Sequence, residues 1–276
     1  MTCGSCLSSS PGSEVAGQYE GIAELYDGYP GNYLEDIVFF TEEAEASGGA
    51  VLEIGAGTGR LALCLAAAGI EVVGIDSSPA MLRRLAGRKA QFPGLRGKVS
   101  VVAADMRAFT LRRRFPLAII AFRTFLYLLT RADQRAALRA IHRHLRPEGR
   151  LVMSFFVPPA ELLARGRTER QEAARFAAPG SEGEVVAYDW TEFDRRRRRV
   201  ISHITYQWRG GRGPGRRQLE RTLVARYIFP EEVPPLLDSC GYRVVAAYGG
   251  FDRRPLTCES REQIWVAGPV GKKRGR

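Results

Sequence analysis

The sequence has little lysine, histidine and cysteine, and the small numbers of histidine and cysteine argue against a metal site. Lysine occurs at only four of the 276 positions, so arginine supplies nearly all of the positive charge. Two of the three histidines lie two apart on a predicted helix, where they face different sides and cannot share a metal. Cys3 and Cys6 form a Cys-x-x-Cys pair, but no second pair completes the four ligands of a zinc site. We therefore predict no metal.

Long apolar runs are also missing. Arg, Glu or Asp interrupts every stretch that could span a bilayer, and the N-terminus has no basic region followed by an apolar one. We therefore expect no membrane segment and a cytoplasmic location. Residues 1–13 are rich in Ser, Gly and Cys, which is typical of a flexible tail.

The charge balance is strongly basic. A net charge of +11 is compatible with a nucleic-acid partner. However, a genome-wide composition bias toward arginine would produce the same excess. The arginine runs at 112–114 and 195–199 flank predicted strands, where solvated turns are expected. Nucleic acid is therefore the less favoured partner.

Strand and helix patterns alternate between residues 50 and 157. Short apolar runs predict strands, and the periodic segments between them predict helices. This alternation predicts a doubly wound, mostly parallel α/β sheet with right-handed crossovers. The predicted strands are 50–54, 71–75, 99–103, 115–122 and 150–157, and the predicted helices are 60–68, 78–90 and 131–145.

The pattern changes after residue 158. A helical stretch at 160–177 precedes three strand-like runs, 183–193, 199–208 and 219–229, which predict an antiparallel meander. About seventy residues make a poor core alone, so we expect an insertion that folds against the main sheet. A helix from residue 230 and two last strands, 242–248 and 263–267, follow it.

Glycines follow the first predicted strand. Gly55, Gly57 and Gly59 allow a tight turn and a close backbone approach to a ligand. A dinucleotide-binding loop has its third glycine one residue later, where this chain has Arg60. The negative charge of Glu53 would repel pyrophosphate but suits a cationic sulfonium. The loop therefore favours an aminoacyl-sulfonium cofactor over a nicotinamide one.

The other strand ends carry matching residues. In a doubly wound sheet, ligands bind beyond the carboxyl ends of the strands. Asp76 can accept hydrogen bonds from ribose hydroxyls, whereas Asp105 and Met106 suit an adenine amine and ring face. Arg123 stands where a substrate would meet the cofactor, and it has two candidate roles. It could clamp an acidic acceptor, or it could pair with a nearby acid of the chain.

Segments 51–59, 73–78 and 104–106 resemble the first three motifs of the class I S-adenosylmethionine-dependent methyltransferases, and 145–151 resembles their segment before the fifth strand. The resemblance covers roughly residues 20–157 and 228–267. It implies S-adenosylmethionine as cofactor and a seven-stranded Rossmann-like sheet whose last strand is antiparallel. The cofactor-binding residues that it implies are Glu53, Gly55, Ala56, Gly57, Thr58, Gly59, Asp76, Ser77, Met81, Asp105, Met106 and Phe122.

The insertion after the fifth strand is similar to the small cap sheet of small-molecule methyltransferases. Those families often close an N-terminal segment over the site with tyrosines, for which Tyr26 and Tyr33 are the preferred pair here. Tyr127 stands where many relatives carry a histidine, which puts a histidine general base in doubt. We expect Tyr26, Tyr33, Arg123 and Tyr127 on the acceptor side of the site.

The resemblance divides the chain into five segments. They are a tail and helical lid (1–48), a cofactor-binding core (49–157), an antiparallel cap (158–228), a completion of the core sheet (229–269) and a basic tail (270–276).

Three functions are compatible with this reading. The first is methyl transfer to an N, O or C atom of a small molecule, and the second is methylation of RNA or protein through the basic surface. The third is a cofactor-binding regulator without catalysis. Residues 121–124 lack an Asn/Asp-Pro-Pro-Tyr signature, and no cysteine lies at the fourth or fifth strand, which argues against two classes of base methylation.

Replacing Asp76 with alanine tests the ribose assignment. We expect the affinity for S-adenosylmethionine to fall by about tenfold or more, because a buried charged hydrogen bond is lost. Isothermal titration calorimetry measures this directly, and an unchanged dissociation constant would contradict the assignment.

Overall fold

A computed structural model describes residues 17–29, 34–180, 182–210 and 218–271. It contains a seven-stranded, mostly parallel sheet and a separate four-stranded antiparallel sheet that follows the fifth strand. The fold class predicted from the sequence is therefore confirmed. Within the described ranges, no helix is both long and apolar enough to cross a membrane.

Strands and helices are numbered in chain order. The large sheet contains β1 (Val51–Ile54), β2 (Val72–Asp76), β3 (Val99–Ala103), β4 (Phe115–Ile120), β5 (Leu145–Phe156), β10 (Tyr242–Tyr248) and β11 (Glu262–Pro269). The small sheet contains β6 (Gln171–Ala177), β7 (Glu184–Asp194), β8 (Arg199–Arg209) and β9 (Gln218–Arg226). The helices are α1 (Ala23–Tyr26), α2 (Glu35–Ser47), α3 (Arg60–Ala67), α4 (Pro79–Ala90), α5 (Arg131–His144), α6 (Ala160–Arg165) and α7 (Val233–Asp238), with 3₁₀ turns at Thr124–Tyr127 and Pro230–Glu232.

The large sheet has the strand order β10-β11-β5-β4-β1-β2-β3. β1 is parallel to both of its neighbours, β2 and β4, so the winding direction reverses at β1. All four residues of β1 are buried, as expected for a parallel strand that helices cover on both faces. The reversal opens a crevice at the carboxyl ends of these strands.

Two apolar clusters cover the two faces of the large sheet. On one face Leu52 and Ile54 pack with residues of α5 and α7, such as Leu138 and Leu237. On the other face Val51 packs with residues of α2, α3 and α4. Both faces of the central strands are therefore buried in the core.

The last strand of the sheet, β11, lies inside the sheet rather than at its edge. β11 runs antiparallel to β5 on one side and to β10 on the other. Its buried Gln263 donates from Nε2 to the Ile228 carbonyl at 2.7 Å and accepts from Trp265 Nε1 at 2.8 Å. This side chain satisfies two polar groups inside the apolar cluster.

The predicted helix over residues 160–177 is wrong in its second half. α6 ends at Arg165, where Gly166 takes a left-handed conformation with φ +76°. Residues Gln171–Ala177 instead form β6, which pairs with β7. The small sheet therefore has four strands rather than three, because pairing with β7 supplies backbone hydrogen bonds that outweigh local helix preference.

The predicted fourth strand also ends early. β4 stops at Ile120 because Phe122 and Arg123 take left-handed φ values of 51° and 68°. Two consecutive non-glycine residues in this region are uncommon and mark a strained turn. The turn leads directly into the 3₁₀ turn at Thr124–Tyr127.

The N-terminal segment packs on the small sheet. Ile22 and Leu25 are buried together with Val185, Ile204 and Tyr206 of β7 and β8. We call residues 17–29 the lid and the small sheet the cap. Lid and cap share one apolar cluster, so they cover the crevice jointly.

Replacing Gln263 with leucine tests the buried network of β11. We expect the free energy of unfolding to fall by about 1–3 kcal/mol, because the Ile228 carbonyl and the Trp265 indole lose their partner inside the core. Urea denaturation followed by circular dichroism measures the change. Gln91→Leu is the matched control at an exposed helix end, where about 0.5 kcal/mol or less is expected. Equal effects in the two variants would contradict the stabilising role of the network.

Candidate active site

The glycine loop between β1 and α3 is shaped by its neighbours. A Cβ on Gly55 (φ +74°) would lie 2.3 Å from Thr124 Cγ2, and one on Gly59 (φ +84°) would lie 2.7 Å from Leu85 Cγ. A Cβ on Gly57 (φ +55°) would meet only a backbone oxygen at 3.9 Å. Two glycines therefore let the loop pack against its surroundings, while the third leaves open space above the loop.

Asp76, the last residue of β2, faces this space. Its Oδ2 accepts from the Gly57 amide and its Oδ1 from the Ser78 amide, both at 2.8 Å. Burial raises the pKa of Asp76 above its usual range, although these backbone donors oppose the rise. Each carboxylate oxygen keeps a lone pair that can accept a ligand hydroxyl. The carboxylate therefore suits the ribose of a nucleoside.

A cavity of about 220 Å³ begins at Asp76. Its walls come from the glycine loop, the ends of β2 and β3, the start of α4, the turn after β4, the start of α5, the lid and one residue of the cap. The described residues that line it are Gln18, Tyr19, Tyr26, Gly55, Gly57, Ile75, Asp76, Ser77, Ser78, Met81, Ala104, Asp105, Met106, Arg107, Thr124, Tyr127, Leu128, Leu129, Thr130, Asp133 and Arg199.

The carboxylate of Asp105 is held by Arg107. The Arg107 amide donates to Asp105 Oδ1 at 2.8 Å, and its Nη2 donates to Oδ2 at 2.6 Å. Arg107 Nη1 reaches Asp133 Oδ1 at 2.8 Å. Partial burial disfavours the charged form of Asp105, but the donors and charge of Arg107 outweigh it and lower the pKa. Asp105 is therefore an ionised hydrogen-bond acceptor in the cavity wall.

Three tyrosines meet in the cavity. The ring of Tyr19 contacts those of Tyr26 and Tyr127 edge to face, with centroids 5.6 Å apart in each pair. Burial is the largest cause that raises the pKa of each phenol above its usual value of about 10. All three phenols are therefore neutral near pH 7, and each can both donate and accept a hydrogen bond.

Asp27 ties the lid to the core. Its Oδ1 accepts from Thr58 Oγ1 at 2.6 Å and from Arg88 Nη1 at 2.9 Å. Its Oδ2 accepts from Arg84 Nε at 3.0 Å. One lid carboxylate thus joins the glycine loop to α4.

The opposite side of the lid is attached to the cap. Tyr29 donates from its hydroxyl to Asp189 Oδ2 at 2.6 Å, and Gln18 Oε1 accepts from the Val224 amide at 2.9 Å. Arg221 Nη2 donates to the Glu20 carbonyl at 2.9 Å. The lid therefore connects the core and the cap.

The predicted site residues divide into three groups. Those that line the cavity are Tyr26, Gly55, Gly57, Asp76, Ser77, Met81, Asp105, Met106 and Tyr127. Those that the structure describes but that are not among the lining residues are Glu53, Ala56, Thr58, Gly59, Phe122 and Arg123. Tyr33, together with Cys3 and Cys6, lies outside the described ranges.

Glu53 does not supply the charge expected of it. The side chain is 3% exposed, and Oε2 has no hydrogen-bond partner among the residues described. Burial raises the pKa of Glu53 to about 8, although Arg60 nearby opposes the rise. The carboxyl is therefore mostly protonated at pH 7. The expectation of a negative charge beside a sulfonium needs this correction, because the sequence does not show how deeply the residue is buried.

Arg123 takes the second of its two candidate roles. Its Nη2 lies 3.9 Å from Glu262 Oε1, and its guanidinium stacks over the Phe156 ring at 4.6 Å. It lines a separate small cavity together with Asp36 and other residues. The left-handed turn at this residue sends the side chain there. An acceptor clamp in the main cavity is therefore not supported by its position.

Several lining residues were not predicted from the sequence. Gln18, Thr130, Asp133 and Arg199 come from a lid, a helix start and a cap strand, none of which carries a recognisable motif. Tyr19 belongs to the tyrosine-rich segment that the sequence singled out, but Tyr26 and Tyr33 were preferred to it. Helix and strand signals alone do not show which side chains of an insertion face a distant loop.

The histidines have structural contacts. His144 accepts from the Leu111 amide at 2.9 Å, and its other ring nitrogen lies 2.7 Å from the Ala140 carbonyl. His142 Nε2 lies 3.1 Å from the Gly241 carbonyl, and His203 stacks on Trp190. Among the residues described, no group of three His, Cys, Asp or Glu is placed to hold a metal.

Comparisons with known proteins agree with this geometry. A family model described as "Methyltransferase domain" matches residues 51–149. The cypemycin N-terminal methyltransferase of a Streptomyces species is 26% identical over 230 residues, which are 83% of this chain and 87% of that protein. The ubiquinone/menaquinone biosynthesis C-methyltransferase UbiE of Syntrophotalea carbinolica is 31% identical over 173 residues, which are 56% of this chain and 67% of that protein. The CcbJ methyltransferase structure from Streptomyces caelestis has a TM-score of 0.77, with 26% identity, 93% of this chain and 98% of that chain covered.

Replacing Asp27 with asparagine tests the attachment of the lid. We expect the affinity for S-adenosylhomocysteine to fall by about fivefold, or about 1 kcal/mol, because two partly exposed ion pairs with Arg84 and Arg88 are lost. Calorimetry gives the affinity, and limited proteolysis gives the rate of cleavage within the lid. Glu24→Gln, an exposed change on the same helix, is the matched control. Equal affinity and equal cleavage in both variants would show that Asp27 does not hold the lid.

Proposed function

This chain belongs to the class I S-adenosylmethionine-dependent methyltransferases, and within that family we propose that it methylates an amine nitrogen of a small acceptor. S-adenosylmethionine is the cofactor, and it supplies an electrophilic methyl group when bound. The identity of the acceptor atom is inferred from the chemistry of the cavity wall.

The absence of a suitable base among the described lining residues carries this proposal. No histidine or lysine is among them, and the three tyrosines are neutral phenols. Asp105 and Asp133 are both engaged by Arg107, and the two oxygens of Asp76 accept from the Gly57 and Ser78 amides. An alcohol needs a base to remove its proton, whereas a neutral amine attacks with its own lone pair. The wall therefore favours an amine.

The transfer balances without an enzyme base. S-adenosylmethionine, held by the glycine loop and Asp76, would supply the methyl group: the nitrogen lone pair would form the N–C bond, and sulfur would keep the electron pair of the broken C–S bond. The nitrogen then carries an additional positive charge and releases a proton to water. Because the step is an in-line displacement, the main task of the protein is to align the two reactants.

The residues of the chain divide this task. We assign the glycine loop and Asp76 to the methionine and ribose parts of the cofactor, and Asp105 with Met106 to the adenine. We further assign the phenol oxygens of Tyr19, Tyr26 and Tyr127 to accept hydrogen bonds from the N–H groups of an amine, which would orient its lone pair. The lid and cap would exclude water from the reacting atoms.

The relatives support nitrogen over carbon. The match to the N-terminal methyltransferase covers 83% of this chain, so it extends beyond the core segments into the rest of the chain. The C-methyltransferase matches only 56%. The larger share of the chain therefore resembles the relative whose name gives a nitrogen acceptor.

Methylation of RNA is the alternative that the basic composition suggests. Many arginines are neutralised by carboxylates of the same chain, as in the pairs Arg60–Asp36, Arg84–Asp27 and Arg113–Glu71. The cavity is also covered by the lid and the cap. Both features favour a small acceptor over a nucleic acid.

Incubation with methyl-labelled S-adenosylmethionine and a metabolite extract tests the acceptor class. We expect a labelled small molecule that survives nuclease and protease treatment, with the methyl group on nitrogen by mass spectrometry and NMR. Label that disappears with nuclease would support RNA instead. A methyl group on carbon or oxygen would contradict the proposal.

The pH dependence of the acceptor reaction provides a second readout of the same proposal. Only the neutral amine attacks, so kcat/KM should rise with pH through the pKa of the acceptor and level off above it. Two acceptor amines of different pKa should therefore show two different midpoints. A midpoint that stays fixed would indicate an enzyme base.

A further inference from the structure

Arg199 of the cap lines the main cavity. It is half-buried and shares the cavity wall with Thr130 and Asp133. Within the described part of the chain, its guanidinium has no hydrogen bond or ion pair. Asp133, the carboxylate on the same wall, already pairs with Arg107 at 2.8 Å. The five donors of Arg199 are therefore available to a ligand.

A second arginine stands directly opposite. The register of β8 and β9 pairs Arg199 with Arg226, so both side chains leave the same face of the cap. Like charges at directly opposite positions destabilise a sheet. Arg226 Nη1 donates to the Arg197 carbonyl at 3.3 Å, but its Nε is buried without a partner among the residues described. On the other side of β8, Asp194 of β7 stands opposite Arg199, but its carboxylate pairs with Arg197 at 3.3 Å.

Two more arginines surround this pair. Arg131 and Arg198 both form ion pairs with Glu232. We call Arg131, Arg198, Arg199 and Arg226 the arginine cluster; among the described residues, the ion pairs of this cluster are those of Arg131 and Arg198 with Glu232. Burial is the main cause that lowers the pKa of Arg226, and the other three guanidinium groups add to it. The cluster therefore has a local excess of positive charge beside the cavity.

We propose that Arg199, which lines the cavity, binds an oxyanion, a carboxylate or a phosphate, on the methyl acceptor, and that Arg226, its neighbour across the β8–β9 register, assists it. Guanidinium groups bind both anions through paired hydrogen bonds, and one bound anion would satisfy the unpartnered donors and relieve the repulsion between the two side chains. This inference rests on the proposed function, because it takes the cavity as the acceptor site. It narrows the acceptor to an amine that also carries an anionic group.

The test uses two simple anions as probes. Wild-type enzyme saturated with S-adenosylhomocysteine is titrated with inorganic phosphate and, separately, with acetate at constant ionic strength. We expect at least one of them to bind, and the stronger of the two identifies the anion class. Arg199→Gln and Arg226→Gln should each weaken that binding by about tenfold or more, because a charged hydrogen bond is removed. Arg209→Gln, at the far end of β8, is the matched control and should bind like wild type.

Three results would overturn the proposal. The first is that the wild type binds neither anion, and the second is that Arg199→Gln binds the anion as tightly as the wild type. The third is that Arg199→Gln loses as much affinity for S-adenosylhomocysteine as for the anion, which would assign Arg199 to the cofactor. Arg199→Gln removes an unpaired side chain and therefore keeps the test valid if Arg226→Gln does not fold. The probes need no catalysis, so anion binding with methyl transfer to carbon or oxygen would refute only the proposed amine acceptor.

Discussion

The reversal of strand order at β1 is the constraint on which the site depends. Because β2 and β4 lie on opposite sides of β1, the connections that leave their carboxyl ends diverge and open a crevice. Gly55, Asp76 and Thr124 border that crevice because each stands at or just after a strand end. The close approach of Gly55 to Thr124 then fixes the glycine loop against the turn after β4. The residues that border the crevice and the residues that pack the glycine loop therefore lie at the same strand ends.

The lid makes this open crevice into a cavity. It contacts the core through Asp27 and the cap through Tyr29, so the cap is coupled to the glycine loop through a short segment. The Asp27 ion pairs are partly exposed, and such pairs contribute about 0–1 kcal/mol each. The burial of Ile22 and Leu25 against the cap adds to these attachments and holds the lid over the cavity.

The sequence predicted the core better than the cap, for a physical reason. In the core, each prediction follows from one local pattern. Apolar runs indicate the buried strands, the glycine spacing indicates the loop, and the end of the second strand indicates Asp76. In the cap, Gln171–Ala177 has no pattern strong enough to override a helical reading, and its strand state depends on pairing with β7. The charge state of Glu53 and the direction of Arg123 depend on burial and on a left-handed turn. Arg199 enters the cavity only through the relative placement of cap and core.

β11 lies between β5 and β10, so the last strand that the structure describes occupies an interior position of the sheet. During synthesis, β1 to β5 therefore leave the ribosome long before β11, which is the second neighbour of β5 in the sheet. Until residues 262–269 emerge, the edge of β5 presents unpaired backbone groups and an apolar surface, which is a site for mispairing with other chains. The last pairing also spans more than a hundred residues from Phe156 to Glu262, which slows folding. The period during which the β5 edge can mispair therefore ends only when β11 is synthesised.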